Sequence, residues 1–257
     1  MEVNLNCDLG EKSEYYDGAN DKSLIKIINT ANIACGYHAG SQSVITETIK
    51  LAKKNNVSIG AHPGYADKKN FGRKIINLEK NELKKLIYDQ LKIIHDIAIS
   101  LKWPITHVKP HGALNNFACE DYDIAMTIGE SIKEFNKDLI YLVLPLSEME
   151  KASQKLNLNY ACEIFADRNY QDNGLLISRN NPNSLIKDAN LISKNILKML
   201  DTSSIHCLSG KKLKCNIDSV CVHSDSHNSL KITKELIKKI KKNGINLVNL
   251  DKLKRLN

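Results

Sequence analysis

No apolar run in this 257-residue chain is long enough to cross a membrane. The longest, Leu139 to Leu146, falls far short of the roughly 20 residues that a spanning helix needs. The opening MEVNLNCDLGEK has no basic region followed by an apolar one, so an unexported, cytoplasmic protein with no membrane partner is expected. Cysteine occurs 7 times, an odd number, and never as CxxC; this excludes a disulfide framework and a zinc knuckle and fits reduced thiols. With only 5 prolines, 12 glycines and 5% aromatics, collagen-like and mucin-like readings fall. No GxGxxG turn follows the first apolar run, and no GxxxxGK[ST] occurs anywhere. Dinucleotide and Walker-type phosphate cradles are therefore both missing.

What is present is an ordinary globular balance, 42% hydrophobic and 26% charged. The length suits one α/β barrel of roughly 250 residues, so residues 1–257 are read as a single barrel domain. The net charge of +8 is local: residues 228–257 carry 9 basic and 2 acidic side chains, and the rest is nearly balanced. Leu230, Thr233, Leu236, Ile237 and Ile240 recur there at helical spacing, which makes the lysines a solvated face. With no aromatic interleaved for stacking, a nucleic-acid partner is not expected.

Short apolar runs alternate with helix-like segments from end to end. Strands are expected at Val3–Asp8, Thr30–Cys35, Val57–Ala61, Ile105–Lys109, Leu139–Leu144, Tyr160–Phe165 and Ser219–His223, with a weaker one at Ile245–Leu250. Helices are expected near 21–29, 41–55, 79–100, 121–136, 147–156, 183–200 and 227–243, several opened by capping residues such as Ser41 and Asp121. Repeated βα units imply parallel strands joined by right-handed crossovers. A TIM-like parallel (β/α) barrel of seven or eight strands follows, with 201–218 as an irregular excursion.

Clusters of polar residues and glycine come directly after the strand segments: NCDLGE, NIACGYHAG, GAHPG, HVKPHGALNN, EIFADRNY and CVHSD. In a parallel barrel those positions converge at the carboxyl-terminal mouth, where βα loops build active sites. Pro110 forbids His107 and His111 from sharing a helical turn. As a strand, His107, Lys109 and His111 share parity and point to one side. Lys109 suits a carboxylate or phosphoryl oxygen, and His111 suits acid–base work near neutral pH. His38 and His62 each lie between glycines, where a substrate can approach the backbone. Asp8, Glu11, Glu163, Asp167 and Asp225 bring carboxylates to the same mouth, Arg73 and Arg179 bring cations, and Asp167 with Arg168 reads equally as a loop-ordering ion pair. His95, His206 and His227 lack converging partners, and Trp103 is expected as an apolar plug at a barrel end.

These motifs, with FGRK, YDQL and LLISR in the same order and spacing, resemble the LamB/YcsF family, the A subunits of prokaryotic ATP-dependent 5-oxoprolinase, from about residue 2 to about 245. The resemblance implies a barrel related to the seven-stranded glycoside hydrolase and deacetylase barrels. It implies cleavage of 5-oxoproline to glutamate with ATP, in company with B and C subunits. The family's motif residues carry over as Asp8, His38, His62, Lys109 and His111 for catalysis and Glu163, Asp167, Arg168, Arg179, His223 and Asp225 for substrate. Ser41, Lys74, Asn115 and Ser224 stand where the family usually has Asp, Arg, Tyr and Gly, and Ser224 is strained if its position needs a positive φ.

A lactam resists hydrolysis because its amide is resonance-stabilised, so the implied chemistry has ATP activate the carbonyl oxygen at a site largely on the partner subunits. Asp8 or His111 then deprotonates water, Lys109 and an arginine hold anionic groups, and His38 or His62 protonates the departing nitrogen. Two other readings compete. In one, Asp8, His38 and His62 hold a divalent metal in a deacetylase-like hydrolase; in the other, the barrel only captures an anionic ligand. Whether a metal takes part is left open by the sequence.

Overall fold

Alternation in the first strand sets the architecture. Residues 2–9 place Val3, Leu5, Cys7 and Leu9 on one side and Asn4, Asn6 and Asp8 on the other, and all seven are buried. A strand buried on both sides needs a layer over each, and here an apolar helical shell covers one and a polar barrel interior the other.

The computed structural model describes residues 1–225 and 228–256. Its elements run β1 (Glu2–Leu9), α1 (Asp21–Leu24), β2 (Thr30–Ala34), α2 (Gln42–Lys54), β3 (Ser58–His62), α3 (Lys80–Ser100), β4 (Ile105–Val108), α4 (Gly112–Glu120), α5 (Tyr122–Phe135), β5 (Ile140–Val143), α6 (Glu148–Leu156), β6 (Tyr160–Phe165), α7 (Ala189–Thr202), β7 (Ser204–His206), β8 (Lys212–Lys214), β9 (Ser219–His223), α8 (Ser229–Lys242) and β10 (Asn246–Leu247). Strands β1 to β6 and β9 pair in parallel, and β9 returns to β1, closing a seven-stranded barrel as expected. Register sets Asp8 opposite both Asn32 and His223.

The irregular excursion is an antiparallel β7–β8 hairpin. The weak last strand is the short β10, which joins β1 at Glu2 and Val3. Helix α4, which the sequence pattern does not separate from its polar motif, follows β4 directly. Trp103 is not the plug: it is half-buried and donates to the carbonyl of Val57 at 2.9 Å. The barrel floor is closed instead by Leu250 and Leu253, packed on Ile140, Leu142 and Ala161. Helix α8 buries Ile232, Thr233, Leu236 and Ile240 and turns Lys231, Lys234, Lys238, Lys241 and Lys242 to solvent, the expected solvated face. His95 packs on Phe135 and His206 bonds Thr202; His227 lies outside the described residues. No helix among the described residues is long and apolar enough to cross a membrane.

The interior is threaded by side-chain hydrogen bonds. Ser219 donates to Asn4 Oδ1 (2.7 Å), and Asn4 to Thr30 (2.8 Å). Asn6 donates to Ser219 (2.7 Å) and Glu163 (2.9 Å), and Asn32 to Asn6 (2.8 Å) and Asp8 (2.7 Å). Both amide hydrogens of Asn32 are thus committed, so its oxygen accepts from His107 Nε2–H at 2.8 Å, and Thr106 serves His107 Nδ1 at 2.9 Å. A β-bulge where β3 meets β4 puts Gly60 opposite His107.

The packing and the buried histidine each have a measurable consequence. A methyl group at Gly60 would stand 2.3 Å from the His107 ring, so Gly60→Ala should lower stability by about 1–3 kcal/mol, read as a shifted denaturation midpoint at unchanged slope. Burial, then Lys109 and His62, hold His107 at about 3, with Asp8 opposing, whereas an unfolded histidine titrates near 6.5. The unfolded chain therefore binds the extra proton, and the stability from this group is complete above about pH 6.5 and drains away as pH falls toward 3. Urea unfolding between about pH 4.5 and 8 should show that slope, made shallower by His107→Gln.

Candidate active site

The βα loops bring the polar motifs together at the mouth. Asp8 lies near the end of β1, His62 ends β3, His111 precedes α4 and His223 ends β9. The GYHAG turn closes on itself through Gly36 N–H to Ala39 O (2.9 Å) and is tied to the first loop by Gly40 N–H to Lys12 O (2.9 Å). Gly72, at φ +60, runs so close that a Cβ would stand 2.9 Å from both His111 and His38. Only glycine leaves room for those two rings, which stack at 3.8 Å.

At the base of the site lies the fully buried Lys109. Its ammonium is 2.8 Å from Asp8 Oδ1, 3.0 Å from Cys221 Sγ and 3.3 Å from Glu163 Oε2. Burial pulls its pKa down, but Asp8, Cys221 and Glu163 more than reverse that, so it stays protonated. Asp8 is likewise penalised by burial, yet His62 and Lys109 hold it well below the usual carboxylate range. Burial keeps Glu163 above its ordinary value. Its three N–H directions are met by protein groups, so Lys109 holds Asp8 in place from the cavity wall.

Above it, Glu11 Oε1 lies 3.0 Å from His111 Nδ1, 3.3 Å from His38 Nε2 and 3.7 Å from His62 Nε2. Burial raises the Glu11 pKa, but His111 and His38 bring it far below normal. His38 is driven down to about 3 by burial and by His111; it has no solvent exposure and does not line the cavity. It packs behind Glu11 and His111, bonded to the first and stacked on the second. Glu11, present in the first motif but not assigned a role from sequence, is the carboxylate on which three histidines converge.

The third group is His223, whose Nδ1 donates to Asp167 at 2.8 and 3.0 Å while Nε2 lies 3.9 Å from Asp8 Oδ2. Burial lowers its pKa, but Asp167 raises it further, so its net shift is upward. Asp167 does not pair with Arg168. The buried Arg168 guanidinium donates to the carbonyls of Ile177 (2.5 Å) and Ser184 (3.4 Å) and pins the loop after β6. Asp225 bonds Arg73 at 2.9 Å on the rim, and Arg179 stands exposed beside them. The cavity enclosed by these groups measures about 420 Å³ and is lined by Asp8, Glu11, His62, Lys109, His111 and His223, with Arg73, Arg168, Arg179 and Asp225 around its opening. Glu163 and Asp167 act one bond behind its wall, through Lys109 and His223.

The family departures have local accounts. Ser41 caps α2, accepting from Val44 N–H at 3.4 Å. Ser224 has no positive φ and donates to the carbonyl of Asp8 at 2.8 Å, so the expected strain is absent. Asn115 is buried on the cavity wall, and Lys74 is exposed. Two trios of ligand-type atoms among the described residues lie within 4.8 Å of one another: Asp8, Cys221 and His223, and Glu11, His62 and His111. The set expected from sequence, Asp8 with His38 and His62, is not one of them, because His38 is turned to Glu11.

With this geometry in place, known proteins supply the relationship. The chain is 40% identical over 246 residues to the 5-oxoprolinase A subunit of Nitrobacter hamburgensis, covering 95% of this chain and 96% of that protein. It is 39% identical over 251 residues to the 5-oxoprolinase A subunit of Campylobacter jejuni, covering 98% of both. The crystal structure of the lactam utilization protein from Thermus thermophilus superposes with a TM-score of 0.89 at 31% identity, covering 96% of this chain and 99% of that one. The model of the LamB/YcsF family matches residues 3–255, and the chain belongs to that family.

Proposed function

We propose that this chain is the A component of an ATP-dependent 5-oxoprolinase, which opens the lactam of 5-oxo-L-proline to L-glutamate together with B and C subunits in the cytoplasm. The observation that carries the reading is the near-full-length identity to proteins of that name, joined to a cavity whose walls hold an ionised carboxylate and a carboxylate-backed histidine facing one another. Seven free cysteines suit a reducing compartment. ATP is assigned largely to the partner subunits, in keeping with a sequence that carries no phosphate loop.

In this scheme the γ-phosphoryl group of ATP passes to the lactam oxygen, which weakens the amide resonance. Water adds to the carbon, the C–N bond breaks as the nitrogen gains a proton, and a second water releases phosphate from the acyl phosphate. Asp8 takes the proton of the first water, since Oδ1 is held by Lys109 and Asn32 while Oδ2 faces the cavity side, 3.4 Å from His62. His223, whose hold on a proton Asp167 strengthens, supplies the proton to nitrogen in place of His38 or His62. Arg179 is the rim cation best suited to the substrate carboxylate, because Arg73 is paired with Asp225 and Arg168 is committed to carbonyls.

Glutamate should form from 5-oxoproline and ATP when the B and C subunits are combined with this chain, and not without it; equal yield without it would reject the assignment. In the same complex His223→Gln should lower kcat/KM by about 100-fold or more with the fold retained. Asp167→Asn should lower the pKa of His223, so the alkaline fall in kcat moves to lower pH. An unmoved limb would remove His223 as the acid.

A further inference from the structure

The trio of Glu11, His62 and His111 poses a charge problem that hydrogen positions make explicit. His62 Nδ1 lies 2.6 Å from the carbonyl oxygen of Lys109, and His111 Nε2 lies 2.8 Å from that of Phe71. A carbonyl only accepts, so both of those nitrogens carry hydrogen. In neutral imidazoles the remaining nitrogens, His62 Nε2 and His111 Nδ1, then present lone pairs, and they face each other at 3.1 Å. Glu11 Oε1, 3.0 Å from His111 Nδ1 and 3.7 Å from His62 Nε2, adds a negative oxygen to the same space. All three residues are largely buried, and Asp8 Oδ2 also lies 3.4 Å from His62 Nε2, so electron-rich atoms converge where little solvent screens their repulsion.

A cation between them resolves this. A proton would make one imidazolium and serve its nearest acceptor; a metal ion would engage all three donors. Ligand atoms about 2.0–2.2 Å from one zinc-class ion stand roughly 3.0–3.5 Å from one another; two of the separations here, 3.0 and 3.1 Å, fall in that range and the third, 3.7 Å, is slightly wider. The surroundings have the outer-shell pattern of such sites: each histidine is oriented by a backbone carbonyl, and Glu11 accepts from His38 Nε2 at 3.3 Å. The other trio differs in that its cation is already built in, since the Lys109 ammonium touches both Asp8 and Cys221.

We propose that Glu11 Oε1, His62 Nε2 and His111 Nδ1 bind one divalent ion of the zinc class. All three residues line the cavity, which leaves a fourth coordination position open toward it, as in zinc sites that hold water or substrate. The proposal stands apart from the lactam reading, because ion uptake is measured without any reaction.

The test uses the full chain without a histidine tag, stripped with chelator and dialysed, and titrated with Zn²⁺ by calorimetry and with Co²⁺ by absorption. One equivalent should bind with submicromolar Kd, and the Co²⁺ spectrum should lack a thiolate charge-transfer band. Glu11→Gln and His111→Gln should each weaken binding by about 100-fold or more. Native circular dichroism with no ion taken up at about 100-fold excess would overturn the proposal and leave a shared proton as the occupant. So would binding that is indifferent to Glu11→Gln, or a thiolate band. The wild-type titration decides the matter even if a variant fails to fold.

Discussion

A protonated lysine at the centre of a barrel is the constraint to which the rest of this structure answers. Lys109 is 2% exposed, and a lone ammonium so placed would lose its hydration with nothing in return. Its partners come from β1, β6 and β9, so the ion cluster spans the ring at the seam where β9 returns to β1. Removing a single partner from such a group typically costs about 3–5 kcal/mol, because the charge left behind has no compensation.

The polar interior follows from the same constraint. Once Asp8 and Glu163 are ionisable and buried, their remaining lone pairs need donors, which Asn32 and Asn6 provide. Those amides need acceptors in turn, and the chain of bonds runs down through Ser219 and Asn4 to Thr30. Barrels of this kind are commonly filled by branched apolar side chains; here an aliphatic cluster gathers at the floor, at Ile140, Leu142, Leu250 and Leu253. The result is a graded interior, apolar at one end and ionic at the other, and the reactive groups sit at the ionic end.

Much of the frame was legible because the strands present apolar residues to their helices and end in polar motifs, most of them with glycine. The alternation of Val3, Asn4, Leu5, Asn6, Cys7 and Asp8 already carried the two-sided burial of β1. Helix α4 was hidden because its first turn overlaps the HVKPHGALNN motif and opens on a glycine, a poor helix former. The floor is not legible because the weak strand pattern of Ile245–Leu250 gives no sign that Leu250 turns under the barrel, and Leu253 lies beyond it. The membership of the site was readable from position after strands, but the division of labour was not. That Asp167 faces His223, 56 residues away, while its neighbour Arg168 turns to backbone carbonyls depends on loop conformation alone.

The pairing of β1 also bears on the order of events during synthesis. Its neighbours on one side are β9 and β10, which lie at the far end of the chain and pair with β1 at Ser219 and Asn246 among others. While the ribosome is still making those segments, the first strand has only β2 beside it, and Asn4 and Asn6 face water instead of Ser219 and Glu163. Ring closure is therefore a late, non-local step, with the loop-closure entropy such steps carry. The polar lining makes the waiting period benign: an unfinished sheet whose inner face is amide and hydroxyl offers nascent chains nearby less to adhere to than an aliphatic one would.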